Sequence, residues 1–188
     1  MSDVLRVFLS IDIDDKTLLS KVKEIQSKLD RDSAKMKLVE EENIHFTWRF
    51  FGDTPSRKID SIYSEMSKLE HSSFDIQIQG VGAFPNIRHP RVIWIGVTDN
   101  EQQMQQLKSE TDLLLSNVGY NIEKQKFTPH ATIARVRFVK DKDRLFRCLE
   151  ALEPERIGSM KVDTIRLTKS TLTSSGPIYE TLWEIPLE

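Results

Sequence analysis

The sequence predicts a fold of mixed strands and helices in which one βαβαβ unit occurs twice. Segments in which apolar and polar residues alternate, as in half-buried strands, are followed by segments whose apolar residues recur at helical spacing. The order of these segments in the first part of the chain is repeated in the second part. A His-x-Thr frame lies in a strand-like segment of each part, as His45-Phe46-Thr47 and His130-Ala131-Thr132. We expect one domain with duplicated halves, roughly residues 1–88 and 89–188.

Three strands and two helices are predicted in the first half. Residues 4–13 alternate and are rich in β-branched and aromatic side chains, which favours a strand. Asp14 or Asp15 can cap the helix that follows, with Leu18 to Leu29 on its buried side. The remaining predicted elements are a strand over 44–51 that contains the first His-x-Thr frame and ends at a turn, Gly52-Asp53, a helix after Pro55, and a strand over 74–78.

The second half begins the same order again. A strand over 91–98 precedes a helix that carries Met104, Leu107, Leu114 and Val118 and stops at Gly119. The second His-x-Thr frame lies in a strand-like segment over 127–138, followed by an amphipathic helix over 141–152. One strand over 160–168 and an additional strand over 179–185 complete the predicted elements.

Length and composition indicate an ordinary globular protein. The 188 residues suffice for one well-buried domain, and 38% hydrophobic with 30% charged residues shows no bias towards disorder or coiled coil. The formal net charge of −2 argues against a protein that coats nucleic acid nonspecifically, because that mode requires many phosphate-neutralising cations. A local basic cleft stays possible. Its candidate residues are Arg88, Arg91, Arg135, Arg137, Lys124 and Lys126.

The single cysteine and the N-terminal segment point to a cytoplasmic protein. Cys148 has no second cysteine with which to form an internal disulfide, and its helical spacing with Leu145, Leu149 and Leu152 favours a core thiol. The first apolar run is interrupted by Arg6, Ser10 and Asp12, unlike a signal peptide. No stretch approaches the roughly 18 apolar residues of a membrane span.

A His-x-Thr frame on a strand places an imidazole and a hydroxyl side by side, because successive side chains alternate between faces. Two such surfaces that face each other are suited to a phosphate. One neutral imidazole can take a proton from the attacking oxygen while the other, protonated, donates one to the leaving oxygen. His45 and His130 are therefore the candidate catalytic residues, and the Thr47 and Thr132 hydroxyls can donate to nonbridging phosphoryl oxygens.

Two other interpretations of the histidines compete with catalysis. A metal site needs further ligands at a recognisable spacing, and the sequence has no H-x-x-x-H and no cysteine cluster, so we expect no metal. A purely structural role in the core is the better interpretation of either histidine alone, but it is weakened when both recur at matched places beside threonine. His71 and His89 are predicted to be loop residues.

Further segments around the two frames carry a resemblance to a known family. They are Arg6-Val7-Phe8-Leu9, Asn43-Ile44-His45-Phe46-Thr47 through Phe50-Phe51-Gly52-Asp53, Gly82-Ala83-Phe84-Pro85, Pro90-Arg91-Val92-Ile93-Trp94-Ile95-Gly96, Phe127-Thr128-Pro129-His130-Ala131-Thr132-Ile133-Ala134-Arg135, and Gly176-Pro177-Ile178-Tyr179-Glu180. With these flanks the chain resembles, almost from end to end, the RNA 2′,3′-cyclic phosphodiesterases, also called 2′-5′ RNA ligases, of the 2H phosphoesterase superfamily.

The resemblance implies an α+β fold with two pseudo-symmetric βαβαβ-like lobes, mainly antiparallel sheets facing a central cleft, and helices on the outside. It also implies a cofactor-independent hydrolysis of terminal 2′,3′-cyclic phosphates on RNA to 2′-phosphomonoesters, with RNA ends as partner and reversible 2′-5′ ligation as a further activity. On this hypothesis His130 is the general base and His45 the general acid, an assignment that the sequence does not determine. We expect a monomer.

The resemblance also implies an additional cation that contacts the phosphate, and in this sequence that cation is Arg135. Strict alternation points this side chain away from His130 and Thr132, so the strand must kink or end if the guanidinium is to reach the phosphate. Phe46 and Trp48 depart from the small aliphatic residues common at those places, and alternation turns both away from the histidine face. We expect them to affect packing rather than chemistry.

An aromatic side chain near the cleft should stack on the terminal base, as is common in single-strand recognition. Phe8, Phe50 and Tyr179 are the candidates, and a core role is the alternative for each. Two other functions stay open at this point. One is a module that binds RNA ends without turnover, and the other is the same chemistry on a small cyclic nucleotide or an ADP-ribose cyclic phosphate.

Overall fold

Strands and helices alternate along the chain much as the sequence predicts. The computed structural model describes residues 4–99, 101–174 and 176–188. Its strands are β1 (Val4–Asp12), β2 (Ala34–Leu38), β3 (His45–Pro55), β4 (Phe74–Phe84), β5 (Val92–Asp99), β6 (His130–Val139), β7 (Arg156–Val162), β8 (Thr164–Leu172) and β9 (Pro177–Pro186). Its helices are α1 (Lys16–Lys28), α2 (Ser56–Met66), α3 (Glu101–Ser116) and α4 (Lys142–Leu152).

The strands form one antiparallel sheet that divides into two lobes. Their order is β7-β4-β5-β6-β3-β1-β8-β9, and β2 lies against β6 beside this path. The centre of the sheet is a narrow contact between β3 and β6, in which Phe46 pairs with Ala131. One lobe is built around β3, β1, β8 and β9, and the other around β6, β5, β4 and β7. The bilobed α+β fold with antiparallel sheets is confirmed.

Each lobe contains strands from both halves of the chain. β4 belongs to the first half but pairs with β5 and β7, whereas β8 and β9 belong to the second half and extend the sheet from β1. The third strand of each predicted βαβαβ unit thus pairs with the first strand of the other unit. The two halves are interlocked through this exchange, and the lobes do not coincide with residues 1–88 and 89–188.

Local signals explain where the helices begin and which faces they bury. The Asp15 carboxylate accepts hydrogen bonds from the backbone N–H groups of Thr17 and Leu18, at 2.8 and 2.9 Å, and so caps α1. Asp141 caps α4 in the same way. The predicted apolar positions of these helices are buried, while α3 buries Leu115 at the place where Leu114 was predicted. No described helix is long and apolar enough to cross a membrane.

Two sequence predictions about strands were wrong, and one strand was not predicted. The predicted strand over 160–168 is two strands, because the chain breaks at Asp163 between β7 and β8, which lie in different lobes. The first His-x-Thr strand does not end at Gly52-Asp53. β3 continues to Pro55, and Gly52, with φ of +72°, lies at an irregularity in its pairing with β1. The sequence analysis did not predict β2, which lies between α1 and the first His-x-Thr strand.

Candidate active site

A cavity of about 350 Å³ lies where the two lobes meet. The wall from β1 and β3 contributes Arg6, Phe8, His45, Thr47 and Phe50. Thr132 and Arg135 come from β6, and Tyr179 comes from β9. The segment from β2 to the turn before β3 contributes Lys37, Leu38, Val39, Glu40 and Asn43, and β8 and β9 contribute Ser170, Leu172 and Pro177. Every predicted site residue except His130 lines this cavity, and His130 precedes the lining residue Thr132 by two positions on β6.

The two histidines are held in the same way by the backbone that precedes them. Nδ1 of His45 lies 2.9 Å from the carbonyl oxygen of Asn43, and Nδ1 of His130 lies 2.8 Å from that of Thr128. A carbonyl oxygen accepts only, so Nδ1 of each ring carries a proton and donates it. Nε2 is thereby the atom left for proton transfer in both rings. In His45 it lies 3.1 Å from the Thr47 hydroxyl oxygen.

Each imidazole is packed between two aromatic rings, which restricts its orientation. The ring contacts are Phe8 and Tyr179 with His45, at 4.9 and 5.3 Å between centroids, and Phe84 and Trp94 with His130, at 4.7 and 6.0 Å. Phe8 is stacked on His45, whereas the Tyr179 and Phe84 rings present an edge-to-face geometry. Each lobe therefore encloses its own histidine between two aromatic rings.

Phe84 and Trp94 were not predicted as site residues. Trp94 lies opposite Gly82 on β4 and covers it so closely that a Cβ on Gly82 would come within 2.3 Å of the indole. Gly96 is also close, with a Cβ position 3.0 Å from the same ring. One glycine lies opposite the aromatic residue on the neighbouring strand, and the other follows it by two residues on its own strand. Glycines at such positions indicate that the ring lies close to the backbone. That signal was available in Gly82-Ala83-Phe84 and Trp94-Ile95-Gly96.

Burial lowers the pKa of both histidines below that of a free imidazole. For His45 the desolvation is opposed by the negative charge of Asp12 and by the Asn43 carbonyl, while Arg135 and His130 lower its pKa further. For His130 the Thr128 carbonyl opposes the desolvation. His130 is thus one of the charges that act on the His45 ring. Burial also raises the pKa of the Tyr179 hydroxyl.

A bulge follows the threonine in each His-x-Thr strand. β1 pairs Ser10 with Thr47 but Leu9 with Arg49, so Trp48 is an additional residue in β3. β5 pairs Trp94 with Thr132 and Ile93 with Ala134, so Ile133 is the corresponding additional residue in β6. The two bulges occupy equivalent positions, one residue after each threonine. Two consecutive side chains are buried at each bulge.

The bulge brings Arg135 into the cleft. Without the additional residue, alternation would direct Arg135 away from Thr132, and with it Arg135 lines the same cavity. Phe50 stands at the same step after His45 and reaches the cavity in the same manner. Its ring is 49% exposed, and the Arg6 guanidinium lies over it at 4.7 Å. Phe46 and Trp48 are buried on the other side, as predicted.

Other candidate residues of the sequence lie outside this cavity. Arg88 covers the ring of Phe146 at 4.4 Å, and Lys124 and Lys126 are exposed in the loop before β6. Cys148 is partly buried against the core, with Sγ 3.5 Å from the Lys28 carbonyl oxygen. Among the described residues there is no group of three or more His, Cys, Asp or Glu side chains able to hold a metal ion.

The arrangement defines a two-lobed protein with paired histidines and a cation at one cleft, and solved structures share its fold. A crystal structure of a Thermus thermophilus protein superposes with a TM-score of 0.81 at 21% identity, covering 97% of this chain and 98% of that one. The crystal structure of Escherichia coli LigT in apo form gives 0.76 at 20% identity and covers 99% of both chains.

Sequence comparison assigns the family. A family model described as LigT-like phosphoesterase matches twice, over residues 12–94 and 95–179. The RNA 2′,3′-cyclic phosphodiesterase of Methanocaldococcus jannaschii is 37% identical over 183 residues, 96% of this chain and 99% of the relative. The protein of the same name from Methanothermobacter thermautotrophicus is 36% identical over 177 residues, 93% and 94% of the two chains. The chain belongs to the LigT-like phosphoesterase family.

Proposed function

We propose that this protein hydrolyses the 2′,3′-cyclic phosphate at an RNA end to a 2′-phosphomonoester by metal-independent acid-base catalysis. The observation that carries the proposal is the matched pair of imidazoles, each with Nδ1 bound to a carbonyl and Nε2 left for chemistry, beside a cavity that contains Arg135. The names of the relatives that share most of the chain support RNA as the substrate. A cytoplasmic monomer is part of the same proposal.

In the proposed mechanism His130 is the base and His45 is the acid. Nε2 of His130 takes a proton from water, whose oxygen forms a bond to phosphorus while the bond from phosphorus to the 3′-oxygen breaks. Nε2–H of His45 donates a proton to that 3′-oxygen, and the phosphate stays on the 2′-oxygen. Asp12 supports this assignment, because its charge favours the protonated form of His45. After product release His130 loses its additional proton to solvent and His45 regains one, which restores the starting protonation states of both.

Ligation fits the same geometry. A 5′-hydroxyl of a second RNA in place of water attacks the same phosphorus and expels the same 3′-oxygen, so each histidine keeps its role. The roles exchange when the resulting 2′-5′ linkage is cleaved back to the cyclic phosphate, because the oxygen that attacked then becomes the leaving group. One site therefore serves both directions.

Thr47, Thr132 and Arg135 are proposed to bind the nonbridging oxygens. The two hydroxyls donate hydrogen bonds without adding charge, and the guanidinium supplies the positive charge that a phosphoryl group in transfer requires. For the terminal base we propose Phe50, which is half exposed at the cavity, and Tyr179, which lines the same cavity. Phe8 is 3% exposed and stacked on His45, so we assign it to holding that imidazole.

The test uses an oligoribonucleotide that ends in a 2′,3′-cyclic phosphate, assayed with and without EDTA. We expect hydrolysis to a 2′-phosphate that chelation leaves intact, and a loss of about 10² to 10⁴ in kcat for His45→Ala and for His130→Ala. His89→Ala is the matched control, because His89 lies in the loop between β4 and β5. Loss of activity with EDTA, or full activity in either cleft variant, contradicts the mechanism.

The alternative functions give different results in the same experiment. A module that binds RNA ends without turnover retains affinity for the oligonucleotide, releases no product, and keeps that affinity when both cleft histidines are replaced. An enzyme for small cyclic nucleotides or for an ADP-ribose cyclic phosphate prefers those compounds to the oligonucleotide. A panel of cyclic phosphates at equal concentration distinguishes these outcomes from the proposed function.

A further inference from the structure

A basic surface continues from the cleft along β2 and β6. In this pair Lys37 lies opposite Arg135, and Lys35 lies opposite Phe138. Cross-strand partners point to the same face, as do residues two apart on one strand, so all four side chains belong to one face. Arg135 and Lys37 line the active-site cavity. The face that contains Lys35 and Phe138 is therefore the direct extension of that cavity, about 7 Å further along the strand.

An open depression lies beside this extension. It has a volume of about 350 Å³ and is lined by Arg31, Lys35, Met36, Lys37, Leu38 and Arg137. Lys37 and Leu38 also line the active-site cavity, so the two spaces are adjacent. The β2–β6 pairing is irregular between Lys35 and Met36, which pair with Phe138 and Val136. Arg137 is therefore an additional residue of β6, and its side chain does not follow the alternation of the two strand faces.

Three cations of this surface stand apart from the carboxylates that the structure describes. Among the described residues, no carboxylate oxygen lies within ion-pair distance of Arg31, Lys35 or Arg137, although Asp30 is nearby in sequence and pairs with Arg144. Phe138 is 63% exposed, the second largest exposed fraction among the large hydrophobic side chains described. Cations without a carboxylate partner next to an exposed aromatic ring are the combination that binds single-stranded nucleic acid, through phosphate contacts and base stacking.

The chemistry of the proposed substrate requires such a surface. A 2′,3′-cyclic phosphate terminates an RNA at its last ribose, so the rest of the molecule leaves the cleft through the 5′-oxygen of that nucleoside. The directions open to this chain of phosphates include the β2–β6 face and the neighbourhood of Arg6, where Asp53 lies 3.8 Å from the guanidinium. The cations of the β2–β6 face favour the first direction.

We propose that Arg31, Lys35, Arg137 and Phe138, here called the β2–β6 track, bind the nucleotides that precede the cyclic phosphate. The three cations contact upstream phosphodiesters, and the Phe138 ring stacks on an upstream base. This inference rests on the proposed function, because it takes the RNA end to be bound in the cleft. Its consequence is a preference for oligonucleotides over mononucleotides with the same reactive end.

The experiment compares an oligoribonucleotide of about four nucleotides with a nucleoside 2′,3′-cyclic phosphate of the same terminal base. The variant is the triple substitution Arg31→Ala, Lys35→Ala, Arg137→Ala. The matched control removes two arginines and one lysine from exposed positions on α2 and β7, as Arg57→Ala, Arg156→Ala, Lys161→Ala, and so changes the net charge equally. The measured quantity is the ratio of kcat/KM on the oligonucleotide to kcat/KM on the mononucleotide.

We expect the ratio to fall about tenfold in the track variant and to stay within twofold of wild type in the control. The slope of log kcat/KM against log salt for the oligonucleotide should decrease by about 0.7 for each phosphate that the variant no longer neutralises. Phe138→Ser should lower the ratio without changing that slope, because stacking releases no counterions. A ratio and a salt slope that are equal in the two triple variants overturn the proposal.

Failure of the proposed function gives a different result. A wild-type protein that hydrolyses neither substrate contradicts the proposed function. Binding of a labelled oligonucleotide, measured by fluorescence anisotropy, then tests whether the β2–β6 track contacts RNA. Weaker binding by the track variant than by the control supports it, and equal binding by the two, or none by wild type, overturns it.

Discussion

At the residue scale, Arg135 shows how a functional side chain depends on its strand. Ile133 is the additional residue of the bulge that precedes Arg135 on β6. The bulge changes the face to which the following side chain points, so the guanidinium lines the cleft. A bidentate planar cation fits two phosphoryl oxygens at once, which an ammonium group does not. The proposed contact of Arg135 with phosphate would thus depend on geometry as well as on charge.

We expect Arg135→Ala to reduce kcat/KM on a nucleoside 2′,3′-cyclic phosphate about 10² to 10³-fold, because a charge-stabilising donor is removed. Arg135→Lys should recover a part of that activity, since it restores charge without the planar geometry. Steady-state kinetics on the mononucleotide measure both. Arg57→Ala is the control for a nonspecific change of charge, and an Arg135→Ala enzyme with the activity of that control contradicts the assignment.

The lowered pKa values of the two histidines predict the pH dependence of catalysis. The acid must be protonated, so activity falls as pH rises through its pKa, and the base must be neutral, so activity falls as pH decreases through its pKa. Burial lowers both values, so the bell-shaped profile of kcat/KM should be centred below the ~6.5 of a free imidazole. Its two limbs belong to the coupled pair.

Asp12→Asn tests the contribution of the nearby carboxylate. Asp12 raises the pKa of His45, so its neutralisation should lower that pKa and move the centre of the bell-shaped profile of kcat/KM to lower pH. A profile whose centre does not move contradicts the influence of Asp12 on His45. Asp12 also pairs with Arg166, so thermal unfolding of the variant is measured alongside to separate an effect on stability.

At the scale of elements, a buried ion network connects the first His-x-Thr strand to the segment before the second. Arg49 on β3 and Lys108 on α3 share the Asp112 carboxylate, at 3.0 and 2.6 Å, and all three side chains are less than one tenth exposed. Arg49 also donates to the carbonyl oxygen of Asn121 at 2.7 Å. The network thereby fixes the loop that leads to His130.

We expect Asp112→Ala to lower the free energy of unfolding by about 3–5 kcal/mol, because it removes the buried carboxylate that two buried cations share and leaves them only a half-exposed one. Glu123 contacts the same two cations but is 46% exposed, so Glu123→Ala should cost at most about 1 kcal/mol. Chemical denaturation of both variants checks the difference. Equal effects of the two substitutions would show that burial of Asp112 does not determine its contribution.

The elements that the sequence did not reveal have a common cause. β2 alternates lysine with Met36 and Leu38, which is a strand pattern, but its lysines border a cleft that the local sequence does not specify. The break at Asp163 separates two apolar segments that read as one. Bulges at Trp48 and Ile133 arise from pairing with other strands, and a periodicity calculated along one strand contains no information about its partners.

At the scale of the whole molecule, the exchange of strands between lobes makes the halves interdependent. β4 comes from the first half of the chain but belongs to the lobe around β6 and β5. β8 and β9 come from the second half but belong to the lobe around β3 and β1. A fragment that lacks the exchanged strands leaves the edges of β1 or β5 unpaired and the apolar face of its sheet uncovered. We therefore expect the two lobes to fold as one unit.

We expect residues 1–88 and residues 89–188, produced separately, to show no cooperative thermal unfolding. Each lacks strands that its own sheet requires, so neither should bury enough apolar surface to offset its conformational entropy. Coexpression or refolding of the two together should restore a cooperative transition. The measurement is circular dichroism with increasing temperature, and a cooperative transition in either fragment alone would contradict the interdependence.

The sequence by itself determined the order of most elements, the helix faces, the caps and the identity of the paired His-x-Thr frames. These properties depend on residue type and on spacing along one segment, which the chain displays directly. The tertiary structure alone decided that Arg135 enters the cleft, that Phe8 is buried against His45 while Phe50 is exposed, and that β2 borders the site. Such features depend on register between strands distant in sequence, and register is set by the packing of the whole sheet.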